Sequence, residues 1–418
     1  MNRLFLILVS IFLLSSCTKD SIEEYDDIRI DYLDNTIVEY GYSNIDVSSF
    51  FKLESVNNRL PYLFNQNVFG EAVPSDLTIL DYNGDGNLDL VYSDSDYQSS
   101  FSGVANRRFF KFFIGDSEGN LSLDLNNDKK FIGTIHTKKS IVGDWNNDGY
   151  MDMFFASPGI DGQNGVQYVP NDYPIMFLND KNGSFIEFRL DNDYGMSPGY
   201  WHSVTASDID NDGVSEIILI NPKAPWGNIS RIIEFEDIEG QWGNGLVITE
   251  LDISVEDSYS KFTSESIDLN GDGVDELILG GMETDSGGGL SPGGSIVYNY
   301  QTKETIRLPI TRNLLIDMIF YDLDGDGDLE IICSTNNDYF DGKIEILRND
   351  GNSFTNVTDE YIEENFINEG GGKNWIEWLY MGDFNNDGII ELHTSDLSKP
   401  EYEIMTWLFI DNKFVKIN

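Results

Sequence analysis

Cysteine is almost missing from this chain: among 418 residues there are two, Cys17 and Cys333. A disulfide framework is thereby excluded, so packing or bound ions must hold the fold. Cys333 sits in the apolar run Ile331-Ile332-Cys333 and reads as a small core residue. Imidazole is nearly as scarce, with His136, His202 and His393 the full set. No thiolate–imidazole cluster for zinc can be assembled from so few, and no nucleophile elbow, zincin motif or cysteine–histidine pair is present. Basic residues are outnumbered: 26 Lys and Arg against 73 Asp and Glu leave a net charge of −47. Such a surface repels phosphate backbones and anionic lipid, which excludes nucleic acid as a partner. Apolar runs long enough to span a bilayer are absent too, and the most apolar one, Leu4–Leu14, is too short.

What the chain has in excess is one acidic pattern, Asp-x-(Asp/Asn)-x-Asp-Gly-x-x-(Asp/Glu), repeated six times. The copies are Asp81–Asp89, Asp144–Asp152, Asp208–Glu216, Asp268–Glu276, Asp322–Glu330 and Asp383–Glu391. Their first residues lie 63, 64, 60, 54 and 61 positions apart. A period of that length means stacked supersecondary units, each contributing the same loop.

The loop chemistry suits a hard divalent cation, which takes roughly six to eight oxygens at about 2.3–2.6 Å. Position 1 offers Asp81, Asp144, Asp208, Asp268, Asp322 and Asp383; position 3 offers Asn83, Asn146, Asp210, Asn270, Asp324 and Asn385. Position 5 adds Asp85, Asp148, Asp212, Asp272, Asp326 and Asp387. Backbone carbonyls come at position 7 from Asn87, Tyr150, Val214, Val274, Asp328 and Ile389. Position 9 closes the set with Asp89, Asp152, Glu216, Glu276, Glu330 and Glu391. Glycine at position 6 meets a turn that needs φ > 0. With no Cys or His inside any copy, Ca2+ is the expected occupant, up to six ions; Mg2+ prefers its own waters.

Residues 1–17 read as a signal: Arg3 supplies charge, Leu4–Leu14 the apolar run, and Leu14-Ser15-Ser16-Cys17 looks like a bacterial lipobox. That resemblance implies cleavage before Cys17 and lipidation of Cys17, giving a membrane attachment that the acidic surface does not supply. The acidic segment after it resembles those that send some Gram-negative lipoproteins to the outer membrane and its outer face. The expected organisation is a signal peptide at 1–16, a lipidated acidic tether at 17–35, and a repeat domain over 36–418.

Each acidic loop lies between short apolar runs, such as Leu77–Leu80 before the first and Leu88–Tyr92 after it. Further along each repeat comes a hairpin: Lys111–Leu123, Ile175–Phe188, Ile232–Val247, Ile296–Leu308, Ile344–Phe354 and Ile404–Lys416. Four strands per repeat describe a propeller blade, so the fold class is all-β. Segments such as Phe177-Leu178-Asn179-Asp180-Lys181-Asn182-Gly183-Ser184-Phe185 and Leu347-Arg348-Asn349-Asp350-Gly351-Asn352-Ser353-Phe354, beside the acidic loops, resemble the FG-GAP/VCBS repeat family. The resemblance covers roughly residues 60–418 and implies a calcium-stabilised β-propeller like that of integrin α subunits. Chain length fits seven blades, the first without metal; six blades plus an amino-terminal arm is the alternative. The fourth repeat departs from the pattern, with a polar leading strand at Thr263–Ile267 and Asp275 at position 8.

The metal loop joins a blade's first and second strands, so the longer loops emerge on the opposite face. Those loops carry aromatic residues, among them Tyr200, Trp201, Trp226 and Trp375, with His202 alongside. Aromatic faces beside polar groups suit sugars or protein side chains. The expected function is a non-catalytic binding module for a glycan or protein. The alternative is a polysaccharide lyase or hydrolase using His202 with Tyr200, or His136, since some propeller lyases use such a pair for proton transfer.

Overall fold

The computed structural model describes residues 73–417 apart from 96–108, 118–120, 135–136, 160–171, 211–212, 223–229, 236–244, 254–260, 270, 272, 284–293, 338–339, 352, 363–375, 377, 383–387 and 396–404. The described residues form six four-stranded antiparallel sheets. They fall into two compact units that divide near residue 251. His136, Trp226 and Trp375 lie outside the described residues, as do the tether and signal regions.

In the first unit, one sheet holds β1 (Val73–Leu80), β2 (Asp89–Ser95), β3 (Phe110–Gly115) and β4 (Leu121–Leu123). The next holds β5 (Lys139–Gly143), β6 (Asp152–Ala156), β7 (Ile175–Asn179) and β8 (Phe185–Arg189). The third holds β9 (Ser203–Ser207), β10 (Glu216–Ile220), β11 (Arg231–Phe235) and β12 (Leu246–Glu250). Consecutive strands pair, so every connection within a sheet is a hairpin. Apolar runs without alternation make strands covered on both faces, and β6, β7 and β10 are buried at every residue. The fourth strand faces water, as the half-buried to exposed pattern of β12 shows.

The core of this unit is aromatic. Phe110, Phe112, Phe131, Phe155, Phe177, Phe185 and Tyr82 form one cluster across the first two sheets. Phe110 lies 4.7 Å from Phe155 and 4.9 Å from Phe177, tilted or edge-on contacts of the kind worth about 0.5–1.5 kcal/mol beyond area burial. A second cluster packs Trp145, Phe154, Met176, Trp201 and Ile217 between the second and third sheets.

The second unit repeats the plan with β13 (Lys261–Ile267), β14 (Glu276–Gly281), β15 (Ile296–Asn299) and β16 (Thr305–Arg307). Then come β17 (Leu314–Tyr321), β18 (Glu330–Asn337), β19 (Phe340–Asn349) and β20 (Phe354–Asn356), and after a helical turn α1 (Thr358–Tyr361) the last sheet, β21 (Trp378–Gly382), β22 (Ile390–Ser395), β23 (Thr406–Ile410) and β24 (Lys413–Lys416). Its largest cluster is mostly aliphatic, with Leu269, Ile278, Val297, Leu315, Ile331, Cys333 and Leu347 beside the single aromatic Phe320 among its buried members. Cys333 is fully buried, which pushes its thiol pKa well above the usual range and suits a packing role. The polar strand β13 buries Ser264 and Ser266, and the Ser266 hydroxyl donates to the Glu276 carbonyl at 3.3 Å.

Sequence and structure agree on where the acidic loops lie. All six connect the first strand of a sheet to its second: β1 to β2, β5 to β6, β9 to β10, β13 to β14, β17 to β18 and β21 to β22.

Candidate metal centre

Local backbone chemistry shapes each loop before any ion is considered. The position-1 carboxylate accepts the N–H of the position-6 glycine in five copies: Asp81 from Gly86 (2.9 Å), Asp144 from Gly149 (2.8 Å), Asp208 from Gly213 (2.9 Å), Asp268 from Gly273 (2.8 Å) and Asp322 from Gly327 (3.2 Å). This closure requires a left-handed glycine, and φ at position 6 runs from +87° at Gly388 to +99° at Gly327. Positions 3 and 5 turn inward by accepting amides two residues on, as Asn83 does from Asp85 (2.8 Å) and Asp326 from Asp328 (3.0 Å).

Position 9 differs, because it lies at the start of a buried strand, as its first residue or, for Glu391, its second. Asp89, Asp152, Glu216, Glu276, Glu330 and Glu391 are all buried. Their carboxylates reach back to the position-2 amide: Tyr82 to Asp89 at 3.1 Å, Ile209 to Glu216 at 2.7 Å, Leu269 to Glu276 at 3.1 Å and Leu323 to Glu330 at 2.7 Å. Burial away from water raises these groups: Asp152 to about 8, and Asp89, Glu216 and Glu330 to about 7. The backbone amides oppose that rise, while neighbouring loop aspartates add to it.

Among the described residues, the acids of two loops converge. Oxygens of Asp208, Asp210 and Glu216 lie within 4.8 Å of one another, and so do those of Asp322, Asp324 and Glu330. The Oε1 atom of Glu330 is buried and has no hydrogen-bond partner. An unpaired buried carboxylate oxygen beside two further carboxylates is costly, and a cation on these oxygens removes that cost. The all-oxygen donor set fits a hard ion, so these acidic clusters can hold a metal. The first and second loops, with Asn83 and Asn146 at position 3, gather fewer carboxylates. In the second, the Lys181 ammonium sits 3.2 Å from Asp148 Oδ2. Asp212, Asn270, Asp272, Asp383, Asn385 and Asp387 lie outside the described residues.

The expected ligand face needs one correction. Trp201 is not a displayed ring: it is fully buried among Phe154, Met176, Leu190 and Val204. A Cβ on Gly199 would meet the Trp201 indole at 2.3 Å, so the glycine makes room for it. Tyr200 is buried at 6 % exposure and stacks on the half-buried His202, ring centroids 5.6 Å apart and planes at 29°. His393 is buried on β22 and its Nδ1 pairs with the Thr406 hydroxyl at 2.8 Å.

Sequence reasoning did not single out Asn179 and Asn349, the last residues of β7 and β19. Each holds its own hairpin turn and also bonds an acidic loop of the preceding sheet. The signal was present in the text, since Leu-Asn-Asp and Arg-Asn-Asp end the two strands at matching places.

The family model for the FG-GAP-like repeat matches residues 144–219 and 322–394, each match beginning at an acidic loop and running through the strand that follows the next one. No curated protein matches the chain. Among solved structures, the chain is similar to the V. cholerae biofilm matrix protein Bap1, at 15% identity and a TM-score of 0.40, over 69% of this chain and 40% of Bap1. The chain therefore spans less than half of Bap1. It is also similar to a putative 6-phosphogluconolactonase from Bacteroides uniformis ATCC 8492, at 11% identity and a TM-score of 0.43, over 83% of this chain and 85% of that one. The FG-GAP-like repeat is thus matched twice, each time over two acidic loops and the strands between them, and the chain is consistent with an FG-GAP repeat protein.

Proposed function

We propose that this chain is a calcium-stabilised, seven-bladed propeller, lipid-anchored through Cys17 in the outer membrane of a Gram-negative bacterium, that binds a glycan or protein without catalysis. The observation that carries the calcium reading is Glu330, whose buried Oε1 lacks a partner beside Asp322 and Asp324. Asp322, Asp324, Asp326, the Asp328 carbonyl and Glu330 would hold the ion in that loop. Calcium would supply the positive charge that lets these oxygens stay close. The chain's own part is to aim them, through the glycine turn and the position-2 amide, and that aiming also fixes the joint between first and second strands.

With Trp201 and Tyr200 buried, His202, Trp226 and Trp375 remain as the ligand candidates. The test is a glycan array and a protein pull-down, each with calcium and with chelator. Retention lost in His202→Ala/Trp226→Ala/Trp375→Ala, with the melt unchanged, supports the binder. Unsaturated uronide products from acidic polysaccharides would replace it with a lyase.

A further inference from the structure

The amide of Asn179 touches two acidic loops at once. Its Nδ2 donates to the Tyr82 carbonyl of the first loop at 2.8 Å and to the Met151 carbonyl of the second at 3.3 Å. Its backbone N–H donates to Asp152 Oδ1, the ninth residue of the second loop, at 2.8 Å. Its Oδ1 accepts the Lys181 N–H at 2.9 Å, fixing the hairpin that carries it. On the far side, the Tyr82 N–H donates to Asp89, the ninth residue of the first loop. Hydrogen bonds therefore tie Asp89 to the Tyr82 N–H, and the Tyr82 carbonyl to Asn179 and on to Asp152, joined through the backbones of Tyr82 and Asn179. Packing follows the same path: a Cβ on Gly183 would lie 3.8 Å from Asn83 Cβ.

The second unit repeats the contact. Asn349 Nδ2 donates to the Leu269 carbonyl of the fourth loop at 2.9 Å, and Leu269 N–H donates to Glu276. Asn349 Oδ1 accepts the Gly351 N–H at 3.0 Å. Both asparagines are buried, and in Asn179 one planar amide supplies the acceptor for the turn and both N–H bonds to the loops.

We propose that Asn179 couples ion uptake by the first and second loops; this rests on the calcium reading above. Ordering the first loop around an ion fixes the backbone on both sides of Tyr82, which fixes the Asn179 amide and backbone, and so presents Asp152 to the second loop. The second ion then meets a loop whose ordering is partly done. Linkage makes the effect reciprocal.

The test is calorimetric calcium titration of the full chain. Asp81→Ala removes the first site, and the affinity of the second, identified by its loss in Asp144→Ala, is expected to fall about tenfold. In an Asn179→Ser background, Asp81→Ala should leave that affinity unchanged. A second loop indifferent to Asp81→Ala in the native background, or a tenfold fall that survives Asn179→Ser, overturns the coupling. Should Asn179→Ser not fold, Asn179→Asp, which keeps the acceptor for the turn and removes the donors to the Tyr82 and Met151 carbonyls, runs the same cycle. Titration without any binding overturns the calcium reading and the coupling with it, whereas independent sites overturn the coupling alone.

Discussion

The loops Asp144–Asp152 and Asp322–Glu330 obey one formula and end in different electrostatics. The fifth loop carries four side-chain carboxylates at positions 1, 3, 5 and 9, three of which converge. The second has Asn146 where the fifth has Asp324, and Lys181 stands against Asp148. The backbone closure is nevertheless the same, Asp144 to Gly149 and Asp322 to Gly327. The turn is therefore set by glycine and the first aspartate. The charge presented to an ion is tuned by position 3 and by whatever the neighbouring hairpin brings.

Removing calcium is the largest perturbation and the one that could erase the difference. A site held at ten times its dissociation constant stabilises by roughly 1.4 kcal/mol, so six would give about 8 kcal/mol. That rivals an ordinary domain's whole stability of about 5–15 kcal/mol. A melt followed by circular dichroism should drop by well over 10 °C in chelator. An unchanged melt would mean neither loop is occupied.

Acid tests whether the loops alone govern stability. Burial lowers His393 to about 4, while an unfolded chain protonates its imidazole near 6.5. Between those values the unfolded state binds the extra proton, so this contribution is full above about 6.5 and is lost as pH falls toward 4. The span corresponds to about 3 kcal/mol. The ninth-position carboxylates, raised to about 7 or 8, act oppositely in chelator: their contribution is full below about 4 and is lost as pH rises through 7 to 8. Denaturant melts of native chain and His393→Gln, in chelator from pH 4 to 8, should converge at acid pH. Parallel curves would assign the acid loss to other groups.

Charge at position 3 gives the next effect. Asp324→Asn should weaken the fifth loop about tenfold toward the second, and Asn146→Asp should strengthen the second, both read by calcium titration. Equal affinities before and after would show that position 3 does not set the difference.

Much of this was legible in the sequence because it depends on local chemistry. A glycine after two alternating acids forces the turn, and unalternating runs such as Asp152–Ala156 become buried strands. What was hidden depends on neighbours distant in the chain. Trp201 reads as a loop aromatic beside Tyr200, yet the small Gly199 and the second sheet's Phe154 and Met176 give it a core site. Asn179 bonds a carbonyl 97 residues away, which no local pattern announces. The Lys181 ammonium likewise meets Asp148 only because the β7–β8 turn folds back over the loop.

That lysine yields the smallest and sharpest test. Lys181 is half-exposed while the Asp148 side chain is 8% exposed, so one partner is screened and the other is not. Its ammonium also lies 5.7 Å from the Tyr150 ring centroid, which helps hold it over the loop. An ammonium on Asp148 Oδ2 competes with any ion for the same oxygen, but an exposed pair is worth only about 0.2–1 kcal/mol. Lys181→Met keeps the stem and removes the charge, and should raise calcium affinity at the second loop up to about fivefold while leaving the fifth unchanged. Added salt should narrow the gap between native and variant, because screening weakens the lysine more than the buried ligands. If Lys181→Met instead lowers affinity, the lysine serves as a support for the loop, and the weakness of the second site belongs to Asn146 alone.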